Sequence, residues 1–167
     1  MDEERTVYRE RTNWPGWVKA LFTSAIVVSC YPLLAGWDTD LSFGSRLLIV
    51  GVTVGVAAVV KLLVGGMTVL VQESRLLIHM GSLGIIRKTI PYATIESLES
   101  VQYRPIRDFG GWGIRGWGRR RAWTIRGDRA VALSLAEDRQ FLIGSDYPMR
   151  LEERIRAAAG DQLSQTR

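Results

Sequence analysis

At 167 residues the chain has room for one compact domain of about 100 residues plus an anchoring segment, and not for two soluble domains. Its 22 Lys and Arg against 17 Asp and Glu give a formal charge of +5, and a single cysteine excludes an intrachain disulfide or a Cys-based zinc site within one chain. The charge excess is local: residues 1–66 hold six of each sign, whereas 104–129 hold eight Arg against Asp108 and Asp128. Such a concentration favours anionic partners.

Residues 1–13 read as a cytoplasmic N-terminal segment, with Asp2, Glu3, Glu4 and Glu10 interspersed among Arg5, Arg9 and Arg11. Trp17 to Trp37 then runs for 21 residues with Lys19 as its only charge, long enough for a helix to cross the ~30 Å hydrocarbon core. Asn13 is placed to cap it, Pro15 suits its first turn, and Trp14, Trp17, Tyr31 and Trp37 suit the interfaces. Pro32 would kink or end it. Cys30 reads as an inert buried thiol. Val27-Val28-Ser29-Cys30 resembles a lipobox, but the acidic residues ahead of it are unlike a basic leader segment.

Leu47 to Val64 is a second, 18-residue apolar run, broken only by Lys61, whose ammonium can snorkel. With 36–46 between them, the two runs predict an antiparallel transmembrane hairpin over 14–66. Arg5, Arg9, Arg11 and Lys19 on one flank and the Arg-rich C-terminal part place both termini in the cytoplasm by the positive-inside rule. Gly51 and Gly55 form a G-x-x-x-G match, and Ala20/Ser24 and Ala25/Ser29 offer small faces on the first helix. Packing within the hairpin is the preferred use of these glycines, and pairing of two copies the other.

Gly65-Gly66 leads without a linker into alternating runs at Met67–Glu73, Arg75–Met80, Ile85–Ile90, Ile95–Tyr103, Arg121–Arg126, Ala130–Leu135 and Gln140–Ile143. These predict about seven strands separated by turn signals. Gly144-Ser145-Asp146 then announces a helix over Tyr147–Ala159, with Gly160 as its stop and a flexible tail over 161–167.

Two apolar spans followed by "TVLVQESRLLIHMGSLGIIRKTIPYATIESLESV", a mid-domain loop, three strands and a final helix resemble small bacterial membrane proteins that carry a bacterial pleckstrin-homology-like (PH-like) domain. The resemblance covers most of 67–160. It rests on the strand Leu76–Met80, Arg87-Lys88 before Ile90-Pro91, and the strand Ile95-Glu96-Ser97-Leu98. The Phe109–Arg115 segment is similar to a loop in some members. The expected fold class is therefore an α-helical membrane hairpin followed by an all-β/α+β PH-like domain of about seven antiparallel strands with a C-terminal helix. The resemblance implies a binding or scaffolding domain, in some members an oligomer, with no catalytic residues.

The most distinctive stretch, Tyr103 to Trp123, joins five glycines to Trp112, Trp117 and Trp123 and to Arg104, Arg107, Arg115, Arg119, Arg120 and Arg121. Glycine permits close approach, Trp suits the lipid interface and Arg engages phosphate or carboxylate with two parallel bonds. The eight residues Arg104, Arg107, Trp112, Arg115, Trp117, Arg119, Arg120 and Arg121 are thus the candidate contacts for lipid or protein. The opposing reading is a structural loop whose Trp residues complete the core. Nucleic acid ranks below lipid or protein, since no RGG repeat or RNP-like sequence occurs. The G-x-G-x-x-G match from Gly111 to Gly116 opens no helix and implies no dinucleotide.

His79, the only histidine, reads as a packed strand residue, and Glu96/Glu99 and Glu137/Asp138 as exposed carboxylates. No catalytic, metal or cofactor residues are proposed. The expected function is a non-enzymatic module contacting membrane lipids and a protein partner or another copy of itself. The alternative is an accessory subunit of a transport or envelope enzyme complex acting through its hairpin.

Overall fold

The computed structural model describes residues 5–35 and 41–163. The 36–40 turn, Trp37 within it, the acidic residues at 2–4 and the end of the tail lie outside the described residues.

The N-terminal segment joins the sheet from Thr6 onward. Thr6–Asn13 is a strand, β1, and two helices, α1 (Gly16–Ala35) and α2 (Phe43–Val64), separate it from its partner β2 (Gly66–Gln72). Antiparallel register sets Asn13 opposite Gly66 and Glu10 opposite Val69, so the chain leaves the sheet and returns to it at the same point. Strands β3 (Arg75–Met80) and β4 (Ile86–Pro91) complete a four-stranded sheet in the order β1-β2-β3-β4. The second sheet holds β5 (Ile95–Gln102), β6 (Gly113–Arg115), β7 (Arg120–Thr124), β8 (Arg129–Leu135) and β9 (Arg139–Gly144), in the order β5-β8-β9-β7-β6. A one-turn helix, α3 (Pro105–Phe109), follows β5, and α4 (Pro148–Ala159) closes the domain.

Nine strands therefore stand among the described residues where the sequence predicts about seven, the additions being β1 and β6. The pairing is also not wholly antiparallel: β7 and β9 run parallel. Each of the turns β7–β8 and β8–β9 reverses the chain, so β7 and β9 point the same way, and β9 lies between β8 and β7.

The two sheets enclose one core. Val69, Val71, Leu76, Ile78, Ile95, Leu133 and Ile143 are buried in it, and α4 contributes Leu151, Ile155 and Ala159. Full burial of such a side chain contributes about 1.5–3 kcal/mol. Tyr92, completely buried between β4 and β5, donates its hydroxyl to the Gln72 carbonyl at 2.6 Å.

Polar contacts fix α4. Glu10, buried on β1, accepts from the Ser145 hydroxyl at 2.7 Å and the Asp146 amide at 3.0 Å. A buried carboxylate requires such donors. Arg126 meets Asp146 through two bonds of 3.0 and 2.7 Å. Glu152 accepts from the Ser100 amide and hydroxyl, and from Arg156, which also reaches the Leu98 carbonyl.

Phe43–Leu63 of α2 is 21 residues long with mean hydropathy 2.1 and no buried part, long and apolar enough to cross a membrane. Its start is capped by Ser42, whose hydroxyl accepts from the Ser45 amide. Alongside it, α1 is an apolar helix whose Gly16–Tyr31 stretch is shorter than a full span. Asn13 does not sit at the start of α1; it ends β1, and the amides of Val18 and Lys19 bond to the Pro15 carbonyl instead. Val18 and Cys30 of α1 are buried, while Val50, Thr53 and Ala57 mark the half-buried stripe of α2. Gly51 and Gly55 lie off that stripe, and a Cβ on either would meet nothing within 4 Å. In this arrangement neither glycine makes a close contact with the first helix.

The turn from β3 to β4 seats the sheet against α2. Gly81 donates to the Gly66 carbonyl at 2.7 Å and Ser82 to the Leu62 carbonyl at 2.9 Å. Gly81 has φ +72°, and a Cβ there would collide with the carbonyls of Leu62 and Leu63. Gly81→Ala should therefore lower stability by well over ~1 kcal/mol. Gly110→Ala, at φ +69° with open space around it, carries the conformational strain alone and should cost less. Thermal unfolding of the full chain in detergent, followed by circular dichroism, checks the difference.

The Ser100 hydroxyl, with Arg156 and the Ser100 amide, holds the Glu152 carboxyl below its ordinary 4.5, against an opposing effect of burial. A depressed carboxyl stabilises the fold above its unfolded pKa, and that contribution fades as pH falls through the folded value. The stability gap between the wild type and Glu152→Gln should be widest near neutrality, about 1–3 kcal/mol for bonds to a charged group, and should shrink below pH 4.5. Denaturant titrations across that range measure it.

Candidate functional site

The Gly-Trp-Arg segment folds over the outer face of the five-stranded sheet. After β5, the Tyr103 amide bonds to the Asp128 carbonyl at 2.8 Å, which ties the start of the segment to the entry of β8. Pro105 opens α3, and Asp108 turns back to accept from the Arg104 amide at 2.8 Å. Gly110, at φ 69°, ends the helix in the left-handed conformation, its amide bonding to Ile106 while Gly111 bonds to Pro105. The β6–β7 hairpin follows, pairing Ile114 with Trp123 and Arg115 with Ala122.

Beneath this cover lies a second, smaller apolar cluster of Tyr103, Ala122, Ala130 and Leu142, with Phe109, Val101 and Ala132 packed on it. The hydroxyls of Tyr103 and Thr124 are buried there without a well-formed hydrogen bond, and burial pushes the Tyr103 phenol up. The segment is thus part of the fold at its base.

Its three Trp residues take three different places. Trp123 is buried in the main core beside Phe141. Trp112 is half-buried, and its indole N–H donates to the Gly127 carbonyl at 2.8 Å. Trp117 is 94% exposed. The structural reading holds for Trp123 and Trp112, whereas Trp117 stands free of the core.

The structure distributes six of the eight predicted contact residues between two grooves flanking α3. Arg104, Arg107 and Trp112 line the first, about 730 Å³, with Tyr103, Ile106 and Asp128. Arg115, Trp117 and Arg120 line the second, about 690 Å³, with Phe109, Ile114 and Asp108. Both fall within the usual size range of ligand pockets, ~300–1,000 Å³. Arg119 and Arg121 lie outside the grooves' linings. Arg119 forms an exposed ion pair with Asp138 at 3.5 Å, which contributes little.

Each groove carries net positive charge, two arginines against one aspartate, and each aspartate already accepts a hydrogen bond. Asp108 is bonded to the Arg104 amide, and Asp128 accepts from the Gln102 amide group at 2.6 Å. Arg115 donates to the Trp112 carbonyl, and Arg120 stacks over the Phe109 ring at 5.8 Å. Among the described residues, the guanidinium groups of Arg104, Arg107 and Arg121 make no hydrogen bond or ion pair. Apolar lining residues beside fork-shaped donors suit a carboxylate- or phosphate-bearing ligand.

The apolar lining residues Ile106, Phe109 and Ile114 escape a search for Arg and Trp. Their one signal is spacing, each lying next to an arginine or one residue removed from one. Leu83 and Ile85 also escape notice: 57% and 66% exposed, they stand in the turn that abuts α2. The helix residues Gly51 and Gly55 lie apart from these grooves, on α2.

His79 sits half-buried on β3, and burial lowers its pKa, with Arg9 acting in the same direction. Its Nδ1 is buried without a partner among the described residues. No group of three His, Cys, Asp or Glu side chains placed to hold a metal ion occurs among the described residues.

Comparison with known proteins leaves the family open: no protein-family model and no curated protein sequence matches the chain.

The division between structural and free side chains is measurable. Trp112→Phe removes the bond to Gly127 and should lower stability by about 0.5–1.5 kcal/mol. Trp117→Ser, at an exposed position, should stay within ~0.5 kcal/mol of the wild type in the same denaturant titration.

Proposed function

We propose that this chain is a non-enzymatic interaction module anchored in the bacterial inner membrane, a PH-like domain that holds acidic protein segments or anionic lipid headgroups in the grooves beside α3. Both helices cross the bilayer in this reading, and both termini are cytoplasmic. Two sheets and a closing C-terminal helix are compatible with the PH-like assignment. Arg9, Arg11 and Lys19 near the sheet, and the Arg-rich domain itself, favour the cytoplasmic side by charge.

The observation that carries the reading is the rooting of the domain. Strands β1 and β2 bracket the helix pair, no linker separates α2 from β2, and the Gly81–Ser82 turn bonds to the last turn of α2. Exposed Leu83 and Ile85 suit the interfacial layer that α2 enters. A domain seated this closely holds its basic grooves at a fixed distance from the membrane surface. Localised arginine on such a surface suits recognition of anions arriving from the membrane plane.

The test uses the full chain, because a fragment starting at residue 67 would lack β1 and leave the β2 edge unpaired. A photo-crosslinking amino acid at Trp117 or Ile106, one in each groove, should capture a protein or an anionic lipid in native membranes. Arg115→Gln with Arg120→Gln, or Arg104→Gln with Arg107→Gln, should abolish the adduct from the corresponding groove. Absence of adducts from both positions would remove the grooves from the function.

The accessory-subunit reading has its own observation in Gly51 and Gly55, which face open space. Glycines on an uncovered face admit close approach of another helix. Crosslinks from these positions to a second protein, with the groove arginines dispensable, would favour it.

A further inference from the structure

The helix pair is not tightly closed. Between α1 and α2 lies a cleft of about 340 Å³, lined by Val18, Phe22 and Ile26 on one side and Val54, Ala57 and Ala58 on the other. Its cause is legible in the side chains: α2 offers two alanines where α1 offers Thr23, whose hydroxyl is turned back to the Lys19 carbonyl at 2.9 Å. An apolar void gains little from water, and leaving it empty forfeits dispersion contacts along both helices. A hydrocarbon chain supplies those contacts.

Two cations mark one end. Lys19 in the first turns of α1 and Lys61 in the last turn of α2 both line the cleft, at the end where Gly65 and Trp14 join it to the sheet. Among the described residues they are the only ionisable side chains in its lining. Among the described residues neither ammonium forms an ion pair or a hydrogen bond. One apolar slot with two cations at its sheet-side mouth has the polarity of a single phospholipid, chain inward and phosphate at the mouth.

We propose that this cleft is a binding site for one anionic phospholipid, an acyl chain lying against Phe22, Ile26, Val54 and Ala57, and the phosphate held by Lys19 and Lys61. The site is separate from the grooves beside α3, and it rests on the reading that the hairpin lies in the membrane. A lipid held there would fill the space that side chains leave open, and would join the helix pair to the headgroup layer directly beneath the domain.

The experiment is native mass spectrometry of the full chain from a mild detergent, titrated with phosphatidylglycerol, phosphatidylethanolamine or glycerol phosphate. The expected result is one retained phosphatidylglycerol in preference to phosphatidylethanolamine, with no retained glycerol phosphate. Lys19→Gln with Lys61→Gln should reduce that preference on the order of tenfold, as two lysines near an anionic surface imply. Ala57→Phe and, independently, Thr23→Leu should diminish retention of both lipids by filling the cleft. Replacing Arg119 and Arg121, which lie outside the cleft and both grooves, by Gln should change nothing. Equal retention of the two lipids by the wild type, or an unaltered preference in the double lysine variant, overturns the site. Carbonate extraction is run alongside. Release of the chain from membranes removes the membrane reading and the site together, whereas an embedded chain without lipid preference removes the site alone.

Discussion

The pairing of β1 with β2 is the constraint on which the rest of the structure depends. Asn13 and Gly66 are opposite one another in one ladder although two helices separate them in sequence. That register makes the helix pair an insertion into a sheet and not a tail in front of a domain. It also brings the last turn of α2 within reach of the β3–β4 turn, where only a glycine at position 81 avoids the Leu62 and Leu63 carbonyls. From β1 the order spreads to the opposite end of the chain through Glu10, whose carboxylate binds the Ser145–Asp146 corner that starts α4. Helix pair, both sheets and closing helix are thus tied together through one eight-residue strand.

The five-stranded sheet gives the basic surface its base. A run rich in glycine and arginine has little capacity to bury itself, and here it is held at three points: the Tyr103 amide, the Trp112 indole and the β6–β7 pairing. Phe109 and Tyr103 pack edge to face below, with centroids 6.1 Å apart. Those fixed points leave guanidinium groups raised on an ordered scaffold, which lowers the ordering cost of binding relative to a free loop.

Much of the β-domain was legible because its strands alternate. Leu76, Ile78 and Met80, or Val131, Leu133 and Leu135, show a period of two, and their strands fall within a residue or two of the expected places. β1 was not legible for an equally physical reason. Its inward residues are Tyr8, Glu10 and Thr12, and of these Glu10 is satisfied by the Ser145–Asp146 corner and by the Tyr8 hydroxyl, so no apolar alternation advertises the strand. β6 is three residues long and contains Gly113, too short to produce any period. The parallel match of β7 with β9 is a tertiary outcome that no local pattern encodes. In the basic segment, residue types marked the stretch but could not separate Trp123, which fills the core, from Trp117, which stands in solvent. That difference follows from place, since Trp123 lies within β7 and Trp117 in the turn between β6 and β7. The G-x-x-x-G spacing marks a small-residue face without naming its neighbour, because spacing specifies a stripe and not its azimuth relative to another helix; here a Cβ on Gly51 or Gly55 would meet open space.

The insertion of the helix pair between adjacent strands also sets the order in which the molecule can be assembled. β1 is made first, yet its ladder partner emerges only after both helices, and the Ser145 hydroxyl that satisfies Glu10 comes 135 residues later. Closing the sheet therefore depends on α1 and α2 folding back on each other so that the chain returns to the point where it left. A chain whose helices failed to pair would leave Glu10 unpartnered and the β2 edge bare. Completion of the sheet is thus a checkpoint on the helix pair: only a chain whose two helices bring Gly66 back to Asn13 can finish its fold.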